Sequence, residues 1–566
     1  MRHRVAAACA LGMLCFAVYL TNLRPMAVQD SIPARLLPFS ILREGNLDLS
    51  EFHWLFSGPY KPYFLRQVPN GRSFSAYSIG VPVLVTPLYV PVVWALRHYR
   101  IDDDDVRFRL VSVVMERISA ALIAAASVSL VFLALCRMTS AGIAAGMALA
   151  YGLGTSIWST GSQSLLQHGG AALALAGLSF FLLEPDTRRN AAAAGGCAAL
   201  AVLARPTMVF FSLLALVFVW WTRRRRLPVF LSLPVAGLAF MLTYRMQLGR
   251  LLRGGYHGLH FGVPTLKRFA GLLISPNRGL FIYTPAALLA LPIVTKRGAG
   301  APSWVRWLPI GIVTYVVFYS SWRGWWGGDC YGPRFLTDAL PAIVLCAAPA
   351  VDRLWRARTA GRIVLLALVT WGVVVQGIGT YFDNNSWNQS PIGSWRPRGK
   401  RVWDWHDLQI LRAAHVGWRG TRLAPLLWQT LTDPRPALLR PIAPEDFVGQ
   451  LTLEEPVPLR YHPADRPELH VRVTNHGRAG WPAFRDFGPM RCRLVYRWWV
   501  NRAKIASGSF SLRRNVYAGG SVQVRKRILM PARRGTYELE LAVVQALGWD
   551  RPPSRGPSLR VPVHIE

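Results

Sequence analysis

Acidic, basic and aromatic side chains that could carry out group-transfer chemistry are concentrated in a few short segments between long apolar runs. The first segment is QDSIPAR, in which Asp30 follows an apolar run and Arg35, a candidate substrate-binding residue, comes five residues later. An ionised carboxylate at the exit of a helix can act as a general base toward a hydroxyl group. A solvated loop aspartate is the alternative interpretation of Asp30, and the sequence leaves both open.

The segment SWRGWWGGDCYGPRFL, residues 321–336, is the richest in such side chains. Aromatic rings stack on the apolar faces of sugars, arginine binds phosphate in a bidentate manner, and glycine lets the backbone approach a ligand. An aromatic belt at a membrane surface would explain the tryptophans but not the Gly-Gly-Asp and Gly-Pro-Arg sequences. We therefore predict a binding segment whose candidate residues are Trp322, Arg323, Trp325, Trp326, Asp329, Tyr331 and Arg334.

Two further loops contribute candidate ligand-binding residues, whereas one run of aspartates is interpreted as a solvated loop. SPNRGLFIYTP, residues 275–285, contributes Asn277 and Arg278 as candidate ligand-binding residues, and the loop 159–169 contributes His168 at the start of a predicted helix. A histidine in that position is more often a hydrogen-bonded interface residue than a catalyst. The four aspartates of IDDDDV, residues 101–106, are more typical of a solvated loop than of a metal site.

The composition restricts the class of protein. Of 566 residues, 52% are apolar and only 17% are charged, while 65 Lys and Arg against 29 Asp and Glu give a net charge of +36. This apolar content excludes a disordered chain, and the low charged fraction is unusual for a soluble enzyme. A nucleic-acid-binding protein would also be basic, but its charge would not lie between apolar runs of spanning length. The combination predicts a membrane protein.

Eleven apolar runs have the character of membrane spans, although several are shorter than the ~20 residues that a bilayer requires. They lie near residues 5–23, 110–136, 141–158, 170–183, 191–204, 207–222, 227–244, 280–295, 304–320, 335–351 and 363–381. A twelfth run, 79–96, contains Pro82, Pro87 and Pro91, each of which removes a backbone donor. We predict that this run is half-embedded or lies on the membrane surface.

Charge predicts the orientation. When 79–96 is not counted as a span, the arginine-rich segments all fall on one side of the membrane, which the positive-inside rule assigns to the cytoplasm. These segments are the N-terminus, 137–140, 184–190, 223–226, 296–303 and 352–362. The long segments 24–109 and 245–279 and the chain after 382 then lie outside. The predicted location is the bacterial inner membrane, with a cytoplasmic N-terminus and a periplasmic C-terminal domain.

The pattern of apolar residues changes after about residue 445. In MRCRLVYRWW, residues 490–499, apolar and basic residues alternate with the period of two that is typical of strands. We predict a multi-spanning α-helical domain over 1–381, which includes the first outer loop at 24–109, then a linker over 382–444. A β-sandwich of about seven strands, Ig-like in general shape, is predicted over 445–566.

The sequence contains no sign of a nucleotide, metal or disulfide site. Walker, GxGxxG, HExxH and GxSxG motifs are missing, and no CxxC or His/Cys metal spacing occurs. Only Cys330 and Cys492 lie outside the predicted spans, and we expect two free thiols rather than a bridge. Because there is no ATP outside the membrane, a reaction on the outer face needs an already activated substrate, and a lipid-linked one would enter sideways from the bilayer.

Together these features resemble the GT-C superfamily of membrane glycosyltransferases, which includes protein O-mannosyltransferases and the lipid A aminoarabinose transferase. The resemblance covers residues 1–381 as an architecture. Its best-matched position is Asp30 in QDSIPAR, and SPNRGLFIYTP and WWGGDCYGPRFLTDALP look like segments of an uncharacterised bacterial branch of that group. The Pro-rich run 79–96 looks like the juxtamembrane segment of the group.

The resemblance implies an inverting transfer of a sugar from a polyprenyl-phosphate donor to an envelope glycan, lipid or protein acceptor. Asp30 would be the general base, and Arg278, Arg323 and Arg334 would neutralise the leaving phosphate. The family often has a second acid on the second outer loop, where this chain has His168, and a paired-acid metal motif is missing after Asp30. A mechanism without a metal or other cofactor is therefore favoured, although a divalent metal stays possible.

Three other functions stay open. A transporter or flippase of lipid-linked sugars predicts charged residues within spans and repeated halves, and no internal repeat is visible. An O-antigen-ligase-like enzyme would use a lipid diphosphate donor, against which the early outer-loop aspartate argues weakly. A non-catalytic envelope assembly protein would not require the polar segment 321–336. For the 445–566 module, carbohydrate binding and a purely structural role are equally compatible with the sequence.

Overall fold

A computed structural model of the chain describes most of the helical region and the strands of the C-terminal region. The described residues are 2–22, 29–52, 55, 62–247, 261–295, 298, 300–357, 359–382, 386–389, 401–416, 438, 440–455, 460–461, 467–483, 491–512, 514–528, 530–531, 533–545 and 554–566. The chain forms two compact units. The first contains residues 1–49, 63–90 and 114–421, and the second contains 50–62, 91–113 and 422–566. Most of the predicted linker 382–444 lies outside the described residues.

Helices account for most of the described residues before 417. They are α1 Arg2–Leu20, α2 Ile32–Arg43, α3 Gly80–His98, α4 Val106–Leu135, α5 Ala141–Leu153, α6 Gln167–Leu183, α7 Arg188–Ala204, α8 Val209–Thr222, α9 Leu227–Gln247, α10 Leu266–Ile274, α11 Leu280–Tyr283, α12 Ser303–Ser321, α13 Leu340–Arg356, α14 Thr359–Tyr381, α15 Ser386–Gln389 and α16 Gln409–Val416.

The helices confirm a membrane-associated protein in its coarse features. Within the described residues, six helical segments are long and apolar enough to cross a bilayer: Arg2–Leu20, Gly80–His98, Val106–Leu135, Arg224–Met246, Arg334–Arg356 and Thr359–Tyr381. The eleven predicted spans all fall on helical segments, but the run 280–295 is divided into α11 and the 3-10 helix Pro285–Val294. Eleven crossings therefore stay a prediction.

Helix α3 shows how three prolines can be accommodated. Residues Gly80–His98 form one uninterrupted helix in spite of Pro82, Pro87 and Pro91. Pro82 lies in the first turn, where the backbone N–H has no partner within the helix. The hydroxyl of Thr86 donates to the carbonyl of Pro82 at 2.9 Å. The prolines thus do not break this run, and its half-embedded placement is untested.

Small residues set the packing of α6, α7 and α9. A Cβ atom at Gly195 of α7 would lie 2.0 Å from the carbonyl oxygen of Phe230 on α9, and one at Gly177 of α6 would lie 2.8 Å from Sγ of Cys197 on α7. Glycine at these points allows the backbones to approach closely, as is common where helices associate within membranes. Two side chains of the site described below lie at the ends of these helices, His168 at the start of α6 and Arg205 directly after α7.

A short hairpin follows α2 in the first unit. Its strands are β1 Leu65–Gln67 and β2 Ser73–Ser75, which pair antiparallel with Leu65 opposite Ser75. Gly71 adopts a φ of +83° in the turn, a conformation that costs glycine little. An ion pair of 2.6 Å between Arg72 and Asp48 ties the turn to the end of α2.

The C-terminal region consists of two sheets. A five-stranded sheet has the order β4-β10-β9-β6-β7, and a three-stranded sheet has the order β3-β5-β8. The strands are β3 Gly449–Leu453, β4 Arg460–Tyr461, β5 Glu468–Asn475, β6 Cys492–Val500, β7 Ala503–Ser511, β8 Ser521–Arg527, β9 Gly535–Gln545 and β10 Ser554–Ile565.

The two sheets share one apolar core, as the alternating pattern predicts. Val473 and Val524 of the smaller sheet belong to the same buried cluster as Leu494, Trp498 and Leu541 of the larger one. The predicted C-terminal β domain is therefore confirmed in its coarse features, with eight described strands where about seven were expected. Its likeness to the Ig fold stays a prediction.

Candidate functional site

Asp30 stands at the entrance to α2. It belongs to the short 3-10 helix Gln29–Ser31, and Pro33 fills one of the first two positions of α2, where a fixed φ favours helix initiation. The N-terminal end of a helix is electropositive, so an ionised carboxylate is favoured there. Arg35, one turn further on, pairs with Glu116 of α4 at 3.3 Å and is buried. That buried pair anchors α2 and thereby positions Asp30.

Two tyrosines from the hairpin hold one oxygen of Asp30. The hydroxyl of Tyr63 donates to Oδ1 at 2.7 Å, and that of Tyr77 donates to the same oxygen at 2.8 Å. Because Leu65 pairs with Ser75, extending the register by two residues places Tyr63 opposite Tyr77 at the open end of the hairpin. The hairpin thus delivers two donors to one carboxylate oxygen.

Arg334 holds the other oxygen of Asp30. Its Nη2 lies 2.6 Å from Oδ2, and the side chains of Arg334 and Asp30 are 11% and 19% exposed. A pair with this little exposure is screened less by water than a surface ion pair. The two residues are 304 positions apart in the chain. Both were predicted site residues, and the fold brings them together.

These contacts affect the acidity of Asp30. Burial by itself would raise the pKa of its carboxyl group, but the guanidinium of Arg334 and the hydrogen bonds from Tyr63, Arg334 and Tyr77 outweigh burial and lower the pKa below the ordinary value of 3.8. Asp30 is therefore ionised throughout the neutral range. If Arg334 formed an ion pair with another anion instead, Oδ2 of Asp30 would be available to accept a proton.

Glycines shape the loop that presents Arg334. Gly327, Gly328 and Gly332 have φ values of +84°, +73° and +63°, which residues with a side chain rarely adopt. At Gly332 a Cβ atom would also lie 2.6 Å from the ring of Tyr283. These three glycines of the predicted binding segment are thus required by the backbone of the loop, whereas Gly324 is not.

We expect alanine substitutions in this loop to follow the local geometry. Gly332→Ala should lower thermal stability most, because it combines a left-handed φ with a clash. Gly328→Ala should cost about 1 kcal/mol, since it meets only the unfavourable φ. Gly324→Ala is the control, because its nearest neighbouring atom would be at 3.4 Å and its φ is not positive. Thermal unfolding of the purified protein in detergent measures the ranking, and equal effects of all three would contradict it.

His168 lies behind Arg334 and is 1% exposed. Nε of Arg334 donates to Nε2 of the imidazole at 3.0 Å, and Nδ1 lies 2.6 Å from a carboxylate oxygen of Asp338. An ionised carboxylate can only accept and a guanidinium can only donate, so Asp338 assigns the imidazole proton to Nδ1. Nε2 then accepts from Arg334 and from Nη1 of Arg205, which lies 2.8 Å away. His168 therefore fixes the plane of the Arg334 guanidinium from behind, which is a positioning role.

A second buried ion pair completes the network. Nε of Arg205 lies 2.9 Å from Asp338, whose carboxylate also accepts from the hydroxyl of Tyr315, and Nη2 of Arg205 donates to Tyr319 at 2.6 Å. Asp338 is fully buried and Arg205 nearly so. A continuous chain of contacts thus runs from Asp30 through Arg334 and His168 to Asp338.

Asn277 and Arg278 belong to a different cluster, which joins three loops. Arg278 is 2% exposed and donates to the carbonyl of Trp326 at 2.9 Å and to Asn388 at 2.8 Å. The side-chain oxygen of Asn277 accepts from the backbone N–H of Gln409 at 2.6 Å. These side chains bind the segments 386–389 and 401–416 to the loop 321–336. Within the described part of the chain, neither of them forms a hydrogen bond with Asp30.

The remaining candidates of the segment 321–336 have diverse environments. Trp325 is buried against α10, where a Cβ atom at Gly271 would lie 2.3 Å from its ring. Tyr331 is buried and donates to the carbonyl of Val375 at 2.9 Å. The half-buried rings of Trp322 and Trp326 flank the loop, while Arg323 and Asp329 are exposed. Of the whole segment, Arg334 is the residue in contact with Asp30.

Sequence reasoning missed Tyr63, Tyr77, Arg205 and Asp338. Asp338 did give a signal, because an acid inside the predicted span 335–351 is costly and therefore informative. Arg205 gave the same signal at the junction of two apolar runs. Nothing in the sequence singles out Tyr63 or Tyr77, since their role depends on the register of a hairpin.

The cysteines and the acidic groups indicate no further ligand. All seven cysteines are free in the structure, and the two free thiols expected at Cys330 and Cys492 stay a prediction. Among the described residues, no group of three or more His, Cys, Asp or Glu side chains is placed to hold a metal ion. The four aspartates at 102–105 include Asp105, which is buried and pairs with Arg107 at 2.7 Å. Metal independence stays a prediction.

The site therefore combines a carboxylate that is ionised, a guanidinium beside it and two tyrosine hydroxyls. Such a set can accept a proton from a hydroxyl group and bind an oxyanion next to it. No protein-family model matches the sequence, and no curated protein is significantly similar to it. The inference of function therefore depends on this geometry and on the sequence.

Proposed function

We propose that the protein is an integral membrane glycosyltransferase that transfers a sugar from a polyprenyl-phosphate donor to an acceptor hydroxyl, with inversion at the anomeric carbon. The observation that carries the proposal is the contact between Asp30 and Arg334, a general base beside a phosphate-binding cation. The acceptor is a glycan, lipid or protein of the cell envelope. The site faces the periplasm of a bacterial inner membrane.

The proposed step uses each group once. The phosphate of the donor draws the guanidinium of Arg334 away from Oδ2 of Asp30, which then accepts the proton of the acceptor hydroxyl. The acceptor oxygen forms a bond to the anomeric carbon as the bond to the phosphate oxygen breaks. The phosphate leaves with the bonding electron pair, and Arg334 stabilises its growing negative charge. Tyr63 and Tyr77 keep the carboxylate in place by their bonds to Oδ1.

The distribution of buried charge supports a site at one end of the helices. Three groups of buried or partly buried charged residues connect the helix ends that lead into the predicted outer loops. They are Asp30–Arg334, Arg35–Glu116 and His168–Asp338–Arg205. A transporter of lipid-linked sugars would instead place charged groups near the middle of its spans. Glu116 lies about ten residues into α4, whose length of ~45 Å exceeds the ~30 Å hydrocarbon core.

Mass spectrometry of envelope glycans and glycolipids tests the proposal. A deletion strain should lack a specific glycosyl modification, and the wild-type gene should restore it. The purified protein in lipid nanodiscs should transfer the same sugar from a synthetic polyprenyl-phosphate donor. An unchanged envelope together with no transfer from any such donor would reject the proposed activity.

Reporter fusions test the predicted orientation of the protein in the membrane. A reporter fused after residue 225 should be active in the cytoplasm, and one fused after residue 400 should be active in the periplasm, because arginine-rich segments are retained inside. Alkaline phosphatase and green fluorescent protein fusions at the same two positions provide reciprocal readouts. The opposite pattern would place Asp30 and Arg334 on the side where nucleotide donors are present.

The pH dependence of transfer should depend on Arg334. Because the pKa of Asp30 is lowered, the acid limb of kcat/KM in the wild type should lie below pH 3.8. Arg334→Gln removes the charge that opposes burial, so the pKa rises and activity is lost at a higher pH. The residual activity of the variant, measured from pH 3 to 8, locates the new limb. Tyr77→Phe removes one hydrogen bond and should shift the limb the same way by less, whereas an acid limb unaffected by both substitutions would contradict the assignment.

A further inference from the structure

A groove lined mainly by apolar side chains runs between α5, α13, α14 and the 3-10 helix Pro285–Val294. Its volume is about 600 Å³. Along α5 the lining extends from Ser140 to Thr155, which corresponds to ~22 Å at 1.5 Å per residue. This length is about three quarters of the hydrocarbon core of a bilayer. The groove is therefore long enough for a hydrocarbon chain that lies parallel to the helices.

A second cavity of about 640 Å³ adjoins one end of the groove. It is lined by Arg137, Arg353 and Arg356 together with Asp352, and Arg356 lines both cavities. The apolar groove and the basic cavity therefore meet at the side chain of Arg356. This end of the helices lies away from the candidate transfer site, and positive-inside reasoning assigns it to the cytoplasm.

Charge and aromatic residues characterise the junction. Three arginines line the basic cavity, where Arg137 pairs with Glu184, and the carboxylate of Asp352 pairs with Arg356 at 2.9 Å and accepts from Thr139 at 2.8 Å. Three arginines against these two carboxylates leave one positive charge in excess. Trp355 lines the groove at this end and is 41% exposed, and tryptophan is typical of the headgroup level of membranes. Basic pockets beside apolar helices are suited to anionic lipid headgroups.

We propose that this composite site binds an anionic phospholipid, with the headgroup phosphate between Arg353 and Arg356 and an acyl chain in the groove. The site is separate from the transfer chemistry, and it does not depend on the proposed function. The cavity has both the cationic and the apolar parts that such a lipid requires. A zwitterionic lipid such as phosphatidylcholine would fill the groove equally well, but its choline cation would offset the attraction of its phosphate for the arginines.

Gly146 gives direct access to the groove for a test. It lines the cavity, and a Cβ atom there would meet nothing within 4 Å. Gly146→Leu therefore fills the groove without straining the backbone, and leucine also favours a helix. Arg353→Ala with Arg356→Ala removes the cationic part instead. Arg224→Ala with Arg225→Ala is the matched control, because these exposed arginines belong to the same predicted membrane face and line neither cavity.

Native mass spectrometry of the full-length protein, with phosphatidylglycerol or phosphatidylcholine added to detergent micelles, measures the binding. The wild type should retain phosphatidylglycerol in preference to phosphatidylcholine. The Arg353 and Arg356 double variant should lose about tenfold or more of its affinity for phosphatidylglycerol and much less of its affinity for phosphatidylcholine. Gly146→Leu should weaken the binding of both lipids, and the control variant should bind as the wild type does.

Other results would overturn the proposal. These are equal retention of the two lipids by the wild type, an equal loss in the control variant, and phosphatidylglycerol binding that withstands both the groove and the arginine substitutions. Should the arginine double variant fail to fold, Gly146→Leu decides alone, because undiminished lipid binding in that variant excludes the groove.

Discussion

Replacing Asp30 by asparagine is expected to lower the rate of sugar transfer by about 10²- to 10⁴-fold, the contribution typical of a general base. The amide keeps the shape of the carboxylate and can still accept from Tyr63 and Tyr77 through its oxygen. It cannot take up the proton of the acceptor hydroxyl. The measurement is transfer from a polyprenyl-phosphate sugar by the full-length protein in nanodiscs, with the product followed by mass spectrometry.

Two controls make this experiment specific. Asp102→Asn removes the exposed carboxylate of the acidic run 102–105 and should leave transfer unchanged. Thermal unfolding of Asp30→Asn should show whether the protein is still folded, since the variant also loses the ion pair with Arg334. Full transfer by a folded Asp30→Asn protein would remove Asp30 from the mechanism.

Replacing Asp338 by asparagine is expected to destabilise the protein by about 3–5 kcal/mol, the usual cost of removing one partner from a buried ion pair. The carboxylate of Asp338 is fully buried and is shared by His168, Arg205 and Tyr315. An amide leaves the charge of Arg205 uncompensated and turns an N–H group toward other donors. The fraction of protein that stays folded on heating in detergent, compared with wild type, measures the effect.

A double-mutant cycle separates charge from packing in this network. Adding Arg205→Met to Asp338→Asn removes the uncompensated cation, so part of the lost stability should return. Asp186→Ala is the control, because its carboxylate lies 3.4 Å from Arg226 and is 47% exposed. Such a surface pair contributes about 0–1 kcal/mol. If Asp338→Asn were no more harmful than Asp186→Ala, the buried network would not support the site.

Asp30→Asn and Asp338→Asn change two different parts of the site. Asp30 and Arg334 are partly exposed and available for a substrate, whereas Arg205 and Asp338 are buried behind them. His168 connects the two parts, because it binds Arg334 through Nε2 and Asp338 through Nδ1. Damage at Asp338 should therefore impair transfer indirectly, by releasing the imidazole that orients Arg334.

Much of the coarse architecture could be predicted from apolar periodicity. Long apolar runs predicted the helices, and alternation in Cys492–Val500 predicted a strand of a two-layered domain. Both patterns are local consequences of burying one face of an element. The continuity of α3 through Pro87 and Pro91 was not expected, because the cost of a proline depends on which carbonyl groups find other partners.

For the site, the sequence by itself determined the residue types and their placement at the ends of apolar runs, with Asp30, His168 and Arg334 among the candidates. Only the tertiary structure decided which of these meet. It brought Asp30 and Arg334 to 2.6 Å, and it placed Arg278 in a cluster that binds loops to one another. The physical reason is that residues hundreds of positions apart make contact through helix packing and hairpin register. Those long-range contacts leave no periodic trace in the chain.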